Sequence, residues 1–317
     1  MELIRGLHNL KPQHRRCVAT IGNFDGVHLG HQQLFQQLQR VADADGLPSC
    51  IITFDPLPHE FFAVPQGSQA RLTYFREKYH AIKQHAPDRL LMLKFNHDLS
   101  ALSADAFIQR ILVDGLGVKQ LIVGDDFRFG QGRAGNFQTL SDAGQQHDFI
   151  VIPTETFCVG DSRVSSTRVR KSLAQGDLEQ AATLLGRPYS MEGRVVYGRQ
   201  LGRTLGYPTA NILLKRHKTP IHGIFVVQAE DEAGRLLNGM ANVGERPTID
   251  GGGDTLLEVH LLDFSEDIYG QHLKTVFLHK IRDEKHFGSL DALKQGIQDD
   301  EHQARAWFAD RSECRDR

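Results

Sequence analysis

CVATIGNFDGVHLGH, residues 17–31, joins a short apolar run to a loop that holds three glycines and two histidines. The run 17–24 is apolar enough for a strand that is buried on both faces. Glycine permits the tight backbone turn that must follow such a strand. We therefore expect GNFDGVHLGH (22–31) to leave a buried strand, turn, and present His28 and His31 where a helix opens at Gly30-His31.

Strands and helices alternate through the first half of the chain. After the loop, Leu34, Leu38 and Val41 form one helical stripe. Further helices are predicted over 72–82 and over 103–112, the latter capped by Ser103. Further strands are predicted at SCIITFD (49–55), RLLMLKF (89–95), QLIVG (120–124) and FIVIP (149–153). This order predicts a parallel sheet with helices on both faces, in which ligands bind at the carboxyl ends of the strands. GNFDGVHLGH follows such an end.

Composition excludes several classes of protein. A length of 317 residues suits two domains, and 40% hydrophobic with 24% charged residues is ordinary for a globular protein. The net charge of −2 provides no basic field for nucleic acid, and no apolar run is long enough for a membrane helix or a signal peptide. The four cysteines form no CxxC pair, which favours a reducing cytoplasm. We expect neither nucleic-acid nor membrane partners, and the sequence leaves the oligomeric state open.

Three interpretations of GNFDGVHLGH are open on spacing alone. The loop and the helix start could bind phosphate through backbone N–H groups, with His28 and His31 stabilising charge in a phosphoryl or nucleotidyl transfer. The same histidines with Asp25 could bind a metal, although their spacing is not a familiar ligand pattern. The polar side chains could also serve only as helix caps. The loop is neither GxGxxG nor a Walker loop.

The second half changes from alternating elements to strands. A short helix over 177–189, capped by Asp177, stops at Gly186-Arg187-Pro188, and we place the domain boundary there. Short β-branched runs bounded by turn residues then predict an antiparallel barrel of about six strands, with a hairpin turn at DEAGR (231–235). An amphipathic helix over 289–308 closes the chain. The expected domains are 1–186 and 187–317.

The candidate reactive side chains of this half lie in two stretches, GRQLGRTLGYPTANI (198–212) and LEVHLLDF (257–264). The first stretch is either a glycine loop over an anionic ligand, followed by hydroxyl and amide groups suited to Mg²⁺, or a plain glycine hairpin. In the second, alternation puts Glu258 on the face of His260 and Leu262. Glu258 is either a general base at the mouth of the barrel or an exposed strand residue.

The pattern GxFDGxHxGH resembles the HxGH signature of the nucleotidyltransferase superfamily, and closely that of bacterial FAD synthetases, which are bifunctional. Three more segments are similar to that family in the same order: TFDPLPHEFF (53–62), GDDFRFGQGRAGN (124–136) and RVSSTRVRKSL (163–173). Asn136 departs from the family, in which an acidic residue is expected. The resemblance implies a Rossmann-like domain with His28 and His31 as catalytic groups. It implies that ATP binds to Gly22, Asn23, Phe24, Asp25, Gly30, Ser166, Thr167 and Arg170. It implies that flavin binds to Pro56, Pro58, Phe62, Asp126 and Phe127.

The second half resembles flavokinases through GxxxGRxLGxPTAN, with Tyr207 where phenylalanine is common. The resemblance implies that Thr209 and Asn211 bind Mg²⁺–ATP, that Gly202 and Arg203 belong to a flap over ATP, and that Glu258 activates the riboflavin 5′-hydroxyl. Arg282 matches a flavin-site position more loosely. The implied function is phosphorylation of riboflavin to FMN and adenylylation of FMN to FAD. The alternatives are a nucleotidyltransferase for another phosphorylated substrate and a non-enzymatic flavin-binding protein.

Overall fold

The computed structural model describes residues 1–62, 69–154, 156–198, 206–214, 216, 218–246 and 254–313. The chain forms two compact units. The first comprises Met1–Gln69 and Tyr74–Ser165, and the second comprises Ala70–Thr73 and Ser166–Arg317. The domain boundary after Gly186 stays a prediction, and the main segment of the second unit begins earlier, at Ser166.

The first unit is built on a parallel sheet of six strands in the order β1-β4-β3-β2-β5-β6. The strands are β1 (Glu2–Arg5), β2 (Val18–Ile21), β3 (Ser49–Asp55), β4 (Arg89–Lys94), β5 (Gln120–Val123) and β6 (Ile150–Pro153). The predicted parallel sheet is confirmed. Strand β1 was not predicted, because only Ile4 of its four residues is buried and so short a segment shows no periodicity.

Helices cover both faces of this sheet, and a separate apolar cluster packs on each face. They are α1 (Leu29–Asp45), α2 (Pro58–Phe62), α3 (Phe75–Lys83), α4 (His97–Ser100), α5 (Ala104–Phe107), which continues as a π-helix over Ile108–Val113, and α6 (Phe137–His147). Ser103 caps α5 as predicted, since its hydroxyl accepts from the Ala106 N–H at 3.1 Å. A two-stranded ribbon, β7 (Cys158–Val159) and β8 (Ser162–Arg163), follows the sheet.

The second unit is a pair of helices followed by a closed six-stranded barrel in the order β10-β13-β12-β11-β14-β9. The helices are α7 (Ser166–Ala174) and α8 (Leu178–Leu185). The strands are β9 (Ser190–Val196), β10 (Ala210–Leu213), β11 (Gly223–Glu230), β12 (Leu236–Arg246), β13 (Asp254–Leu261) and β14 (His272–Arg282). The predicted antiparallel barrel is confirmed. Asp177 caps α8 through the Gln180 N–H at 2.9 Å, and Gly186 ends it with φ +70°.

The barrel buries one face of each strand inside and turns the other outward. Phe225, Val227 and Phe277 lie inside, essentially inaccessible to solvent. The closing helix α9 (Leu290–Glu313) packs outside, where Ala304 meets Val226 and Met240. No helix in the described ranges of the chain is long and apolar enough to cross a membrane.

Candidate active sites

The loop after β2 has an unusual backbone. It leaves the middle of the sheet, where the Gly22 N–H donates to the Ile52 carbonyl at 3.0 Å. Phe24 and Val27 then adopt positive φ angles of 46° and 44°. Such angles are uncommon for any residue with a Cβ and are outliers for a β-branched one. Backbone strain of this kind concentrates at functional sites, so the loop is a candidate site on geometry alone.

The two histidines of this loop lie in direct contact. Their rings stack with centroids 3.6 Å apart and planes 18° apart. His28 is the N-cap of α1, since its Nδ1 accepts from the His31 N–H at 3.4 Å, and the helix begins at Leu29, one residue earlier than expected. A Phe24 edge packs on His31 at 5.2 Å. The capping and catalytic interpretations are therefore compatible, because the capping bond holds one imidazole against the other.

The metal interpretation of the same loop gains no support. Among the residues that the structure describes, no group of three or more His, Cys, Asp or Glu side chains is placed to hold a metal ion. Asp25, which stands three residues before His28 in the sequence, is buried, and only 3% of it is exposed. What the loop offers instead is a helix start and two imidazoles, which suit an anionic ligand.

Sequence reasoning missed Lys78, a buried cation beneath this loop. Its Nζ donates to the Asn23 carbonyl at 2.7 Å and lies 3.4 Å from the Thr53 hydroxyl. The side chain is only 3% exposed. A signal was present, because Lys78 stands three residues after Phe75 and so lies on the same side of the helix predicted over 72–82. A lysine on the apolar side of a helix is unusual unless it has a partner.

The proline-rich segment after β3 carries one exposed aromatic ring. The Asp55–Pro56 peptide is cis, and α2 begins at Pro58. Phe62 is 67% exposed and packs edge-on against Phe95 at 5.7 Å. A large exposed aromatic ring is suited to contact with a flat aromatic ligand.

Side-chain contacts hold the loop after β5 in place at both of its ends. Asp126 forms an ion pair with Arg163 at 3.1 Å, and the half-buried Phe127 stacks on Phe129 with centroids 5.6 Å apart. Phe129 itself is a core residue. Asn136, the departure noted in the sequence, is the N-cap of α6 and accepts from the Thr139 N–H at 3.0 Å. An amide performs this cap as well as a carboxylate would.

Ser166, Thr167 and Arg170 lie in the first part of α7, in the second unit. The helix begins at Ser166, so Ser165 occupies the capping position and Thr167 the first turn. The Arg170 Nε donates to the Ala70 carbonyl at 2.6 Å. Hydroxyl groups and a guanidinium at a helix start suit phosphate groups.

The barrel carries a second set of reactive side chains on its outer wall. Asn211 on β10 pairs directly with Glu258 on β13, which pairs directly with Asn242 on β12. Leu257 and Val259, on either side of Glu258, are fully buried inside the barrel. Glu258 therefore faces outward rather than into the mouth of the barrel as expected.

The segment before β10 is anchored beside Glu258. His260, two residues along the same face, lies with its Nδ1 at 2.8 Å from the Pro208 carbonyl. Thr209 follows, half-buried, and Asn211 is 8% exposed. A Cβ at Gly198 would collide with the Asn211 amide, so a larger residue there would displace the Asn211 side chain. Gly202 and Arg203, predicted for the flap over ATP, lie outside the described residues.

Arg282 lies on the outer wall of β14 and is held by α9. Its Nε and Nη2 donate to the two oxygens of Asp300 at 2.7 and 2.6 Å, a bidentate pair in which Asp300 is buried. Its guanidinium also lies 5.5 Å from the centroid of the Phe287 ring. This position joins the barrel to its closing helix, and its role towards flavin stays a prediction.

Comparison with known proteins assigns each half to a family. Residues 10–168 match the FAD synthetase family model, and residues 185–308 match the riboflavin kinase model. The bifunctional riboflavin kinase/FMN adenylyltransferase of Pseudomonas fluorescens is 50% identical over 98% of this chain and 98% of its own length. The protein of the same name from Escherichia coli K12 is 47% identical over 97% and 98%. A solved structure described as a macrolide-efflux protein from Streptococcus pneumoniae is 30% identical, with a TM-score of 0.81 over 97% of this chain and 100% of its own.

Proposed function

The chain belongs to the family of bifunctional riboflavin kinases/FMN adenylyltransferases, and we propose from this premise which of its residues perform each reaction. It phosphorylates riboflavin to FMN with ATP and then adenylylates FMN to FAD. The observation that carries the residue assignments is that each family-matched half holds its own reactive groups. The stacked histidines lie at the start of the helix that follows strand β2, and the Asn211–Glu258 pair lies on the barrel wall.

In the kinase reaction, Glu258 accepts the proton of the riboflavin 5′-hydroxyl as that oxygen attacks the γ-phosphorus of ATP. The bond from that phosphorus to the bridging oxygen breaks, which releases ADP. Thr209 and Asn211 bind the phosphates, and Gly202 and Arg203 cover ATP. Asn211 is held in place for this role by the close approach of the Gly198 backbone. Positioning supplies most of the acceleration in such transfers.

Mg²⁺ fits the oxygen donors at this position. The Thr209 hydroxyl and the Asn211 amide oxygen are hard ligands of the kind that Mg²⁺ accepts, and most of its remaining ligands are then ATP phosphates and water. When bound, the ion neutralises charge on the phosphates. Thr209 and Asn211 orient the triphosphate, while the proton transfer belongs to Glu258.

In the adenylyltransferase reaction, an FMN phosphate oxygen attacks the α-phosphorus of ATP and pyrophosphate leaves. His28 and His31 stabilise the charge that develops, and Gly22, Asn23, Phe24, Asp25 and Gly30 approach the nucleotide through the strained loop. Ser166, Thr167 and Arg170 bind the departing pyrophosphate. Pro56, Pro58, Phe62, Asp126 and Phe127 bind the flavin, supported by the exposed ring of Phe62.

We further propose a cytoplasmic location without nucleic-acid or membrane partners. Free thiols support it, because Cys17, Cys50 and Cys158 form no disulfide.

Chromatography of flavins after incubation with riboflavin, ATP and Mg²⁺ tests the assignments. The unmodified protein should give FMN and then FAD. The change His31→Ala should cost about 2–4 kcal/mol in FMN adenylylation, as loss of an oxyanion donor does, and leave FMN formation within about twofold. Glu258→Gln should abolish FMN formation but still convert supplied FMN to FAD.

Equal loss of both reactions in either variant would contradict two separate sets of reactive groups. Adenylylation of a different phosphorylated compound in preference to FMN would favour the general nucleotidyltransferase. Flavin binding without consumption of ATP would favour the non-enzymatic binding protein.

A further inference from the structure

Five side chains form a continuous row across the outer wall of the barrel. Each is the direct cross-strand partner of the next, in the order Asn211, Glu258, Asn242, Ile224, Arg282. Direct partners in antiparallel strands project to the same face with Cβ atoms about 4.5–5.5 Å apart. The amide of Asn242 therefore lies next to the carboxylate of Glu258, on the side opposite to Asn211.

The Asn242 amide has an unused hydrogen-bond acceptor. Its Oδ1 is buried, and within the described residues it has no hydrogen-bond partner. Native structures pair nearly all buried polar atoms, so an exception calls for an explanation. Asn238, four residues earlier on the same face of β12, differs in this respect, because its Oδ1 accepts from Gln228 at 3.1 Å. Of the two asparagines on this face of β12, only Asn242 therefore has an acceptor without a partner in the described residues.

We propose that Asn242 accepts a hydrogen bond from a hydroxyl of the ribityl chain of riboflavin and so places the 5′-hydroxyl against Glu258. The inference rests on the proposed role of Glu258. A ribityl hydroxyl is an O–H donor of the kind that a lone amide oxygen requires.

The order of the row selects riboflavin rather than ATP as the ligand of Asn242. In an in-line transfer, the phosphoryl donor and the body of the acceptor lie on opposite sides of the attacking oxygen. Asn211, assigned to the phosphates, lies on one side of Glu258, and Asn242 lies on the other. Along the row, the residue assigned to the phosphates is followed by the base and then by the residue proposed for the ribityl chain. Arg282 lies further along in the same direction.

The test is steady-state kinetics of the full-length protein, with FMN and FAD summed as product. Asn242→Leu and Asn242→Ala should each raise the KM for riboflavin roughly 5- to 20-fold, as loss of a hydrogen bond to a buried acceptor does. The KM for ATP should stay within about twofold. The inhibition constant of lumiflavin, which has a methyl group in place of the ribityl chain, should also stay within about twofold. Asn238→Ala is the matched control and should change none of these constants.

An unchanged KM for riboflavin in Asn242→Ala would overturn the proposal. So would a parallel rise in the lumiflavin constant, which would place Asn242 against the ring, or a rise in the KM for ATP alone, which would place it with the phosphates. If Asn242→Leu does not fold, Asn242→Ala decides. Failure of the proposed base is a separate result, since riboflavin phosphorylation would then persist in Glu258→Gln.

Discussion

Lys78 is a charged side chain that the fold buries beneath the loop bearing both histidines. Burial of an ammonium group is unfavourable unless hydrogen bonds replace its water. The Asn23 carbonyl supplies one such bond at 2.7 Å, and Thr53 Oγ1, which itself donates to that carbonyl at 3.3 Å, lies 3.4 Å away. At this scale, Lys78 binds the backbone at the first turn of the loop, and we expect it to position the histidines that follow.

We predict that Lys78→Met lowers the rate of FAD formation from FMN by about 10- to 100-fold. A hydrogen bond to a charged group contributes about 1.5–3 kcal/mol, and here its loss frees the strained loop. Lys83→Met, on the exposed face of the same helix, is the control. FMN formation from riboflavin should be unchanged in both variants, and an undiminished rate of adenylylation in Lys78→Met would remove Lys78 from the positioning of this loop.

At the scale of elements, helix α9 depends on a few contacts with the barrel wall. Asp300 is buried and binds Arg282 in bidentate fashion. A second connection joins Arg305 to Asp263, both of whose oxygens accept at 2.9 Å, and these bonds lower the pKa of the Asp263 carboxyl. The exposed pair contributes little to stability, so of the two ion pairs the buried one contributes more to the docking of α9, beside the apolar packing of Ala304 and Trp307.

We predict that Asp300→Ala destabilises the docking of α9 by about 2–3 kcal/mol. Removal of one partner of a fully buried pair costs about 3–5 kcal/mol, and partial exposure of Arg282 reduces the loss. Trp307, the single tryptophan, lies on this helix and reports the transition by fluorescence during urea unfolding. Asp310→Ala, exposed on the same helix, should leave the midpoint unchanged; a shift equal to that of Asp300→Ala would show that the pair is not the cause.

At the scale of the whole molecule, the two proposed sets of catalytic groups lie in different units, and the two reactions share one intermediate. The histidine pair belongs to the first unit and the Asn211–Glu258 pair to the second. FMN is the product of one reaction and the substrate of the other. A defect in one set of reactive groups should therefore leave the other functional.

We predict that an equimolar mixture of His31→Ala and Glu258→Gln proteins converts riboflavin to FAD, although neither variant does so efficiently alone. The first variant releases FMN, and the second adenylylates it. The time course of FAD, followed by chromatography, should show a lag while FMN accumulates. Accumulation of FMN without FAD in the mixture would contradict the assignment of the two reactions to separate sets of reactive groups.

Local chemistry made much of the fold predictable. The strand at 49–55 has the predicted bounds, and Ser103 and Asp177 cap the predicted helices, because these features depend on neighbours in the sequence. The strand Glu2–Arg5 and the helix Phe137–His147 were missed. The former is too short to show a periodicity, and the latter is largely polar and has no clear apolar stripe.

The sequence by itself determined the alternating first half, the barrel of the second half, and the motifs that place histidines after one strand and a glutamate within another. Those are properties of neighbouring residues, set by periodicity and turn chemistry. Only the tertiary structure decided that Glu258 faces outward, that Lys78 lies under the loop, and that Asn242 lies beside Glu258. Strand order and register bring together residues far apart in the chain, and no local pattern fixes that register.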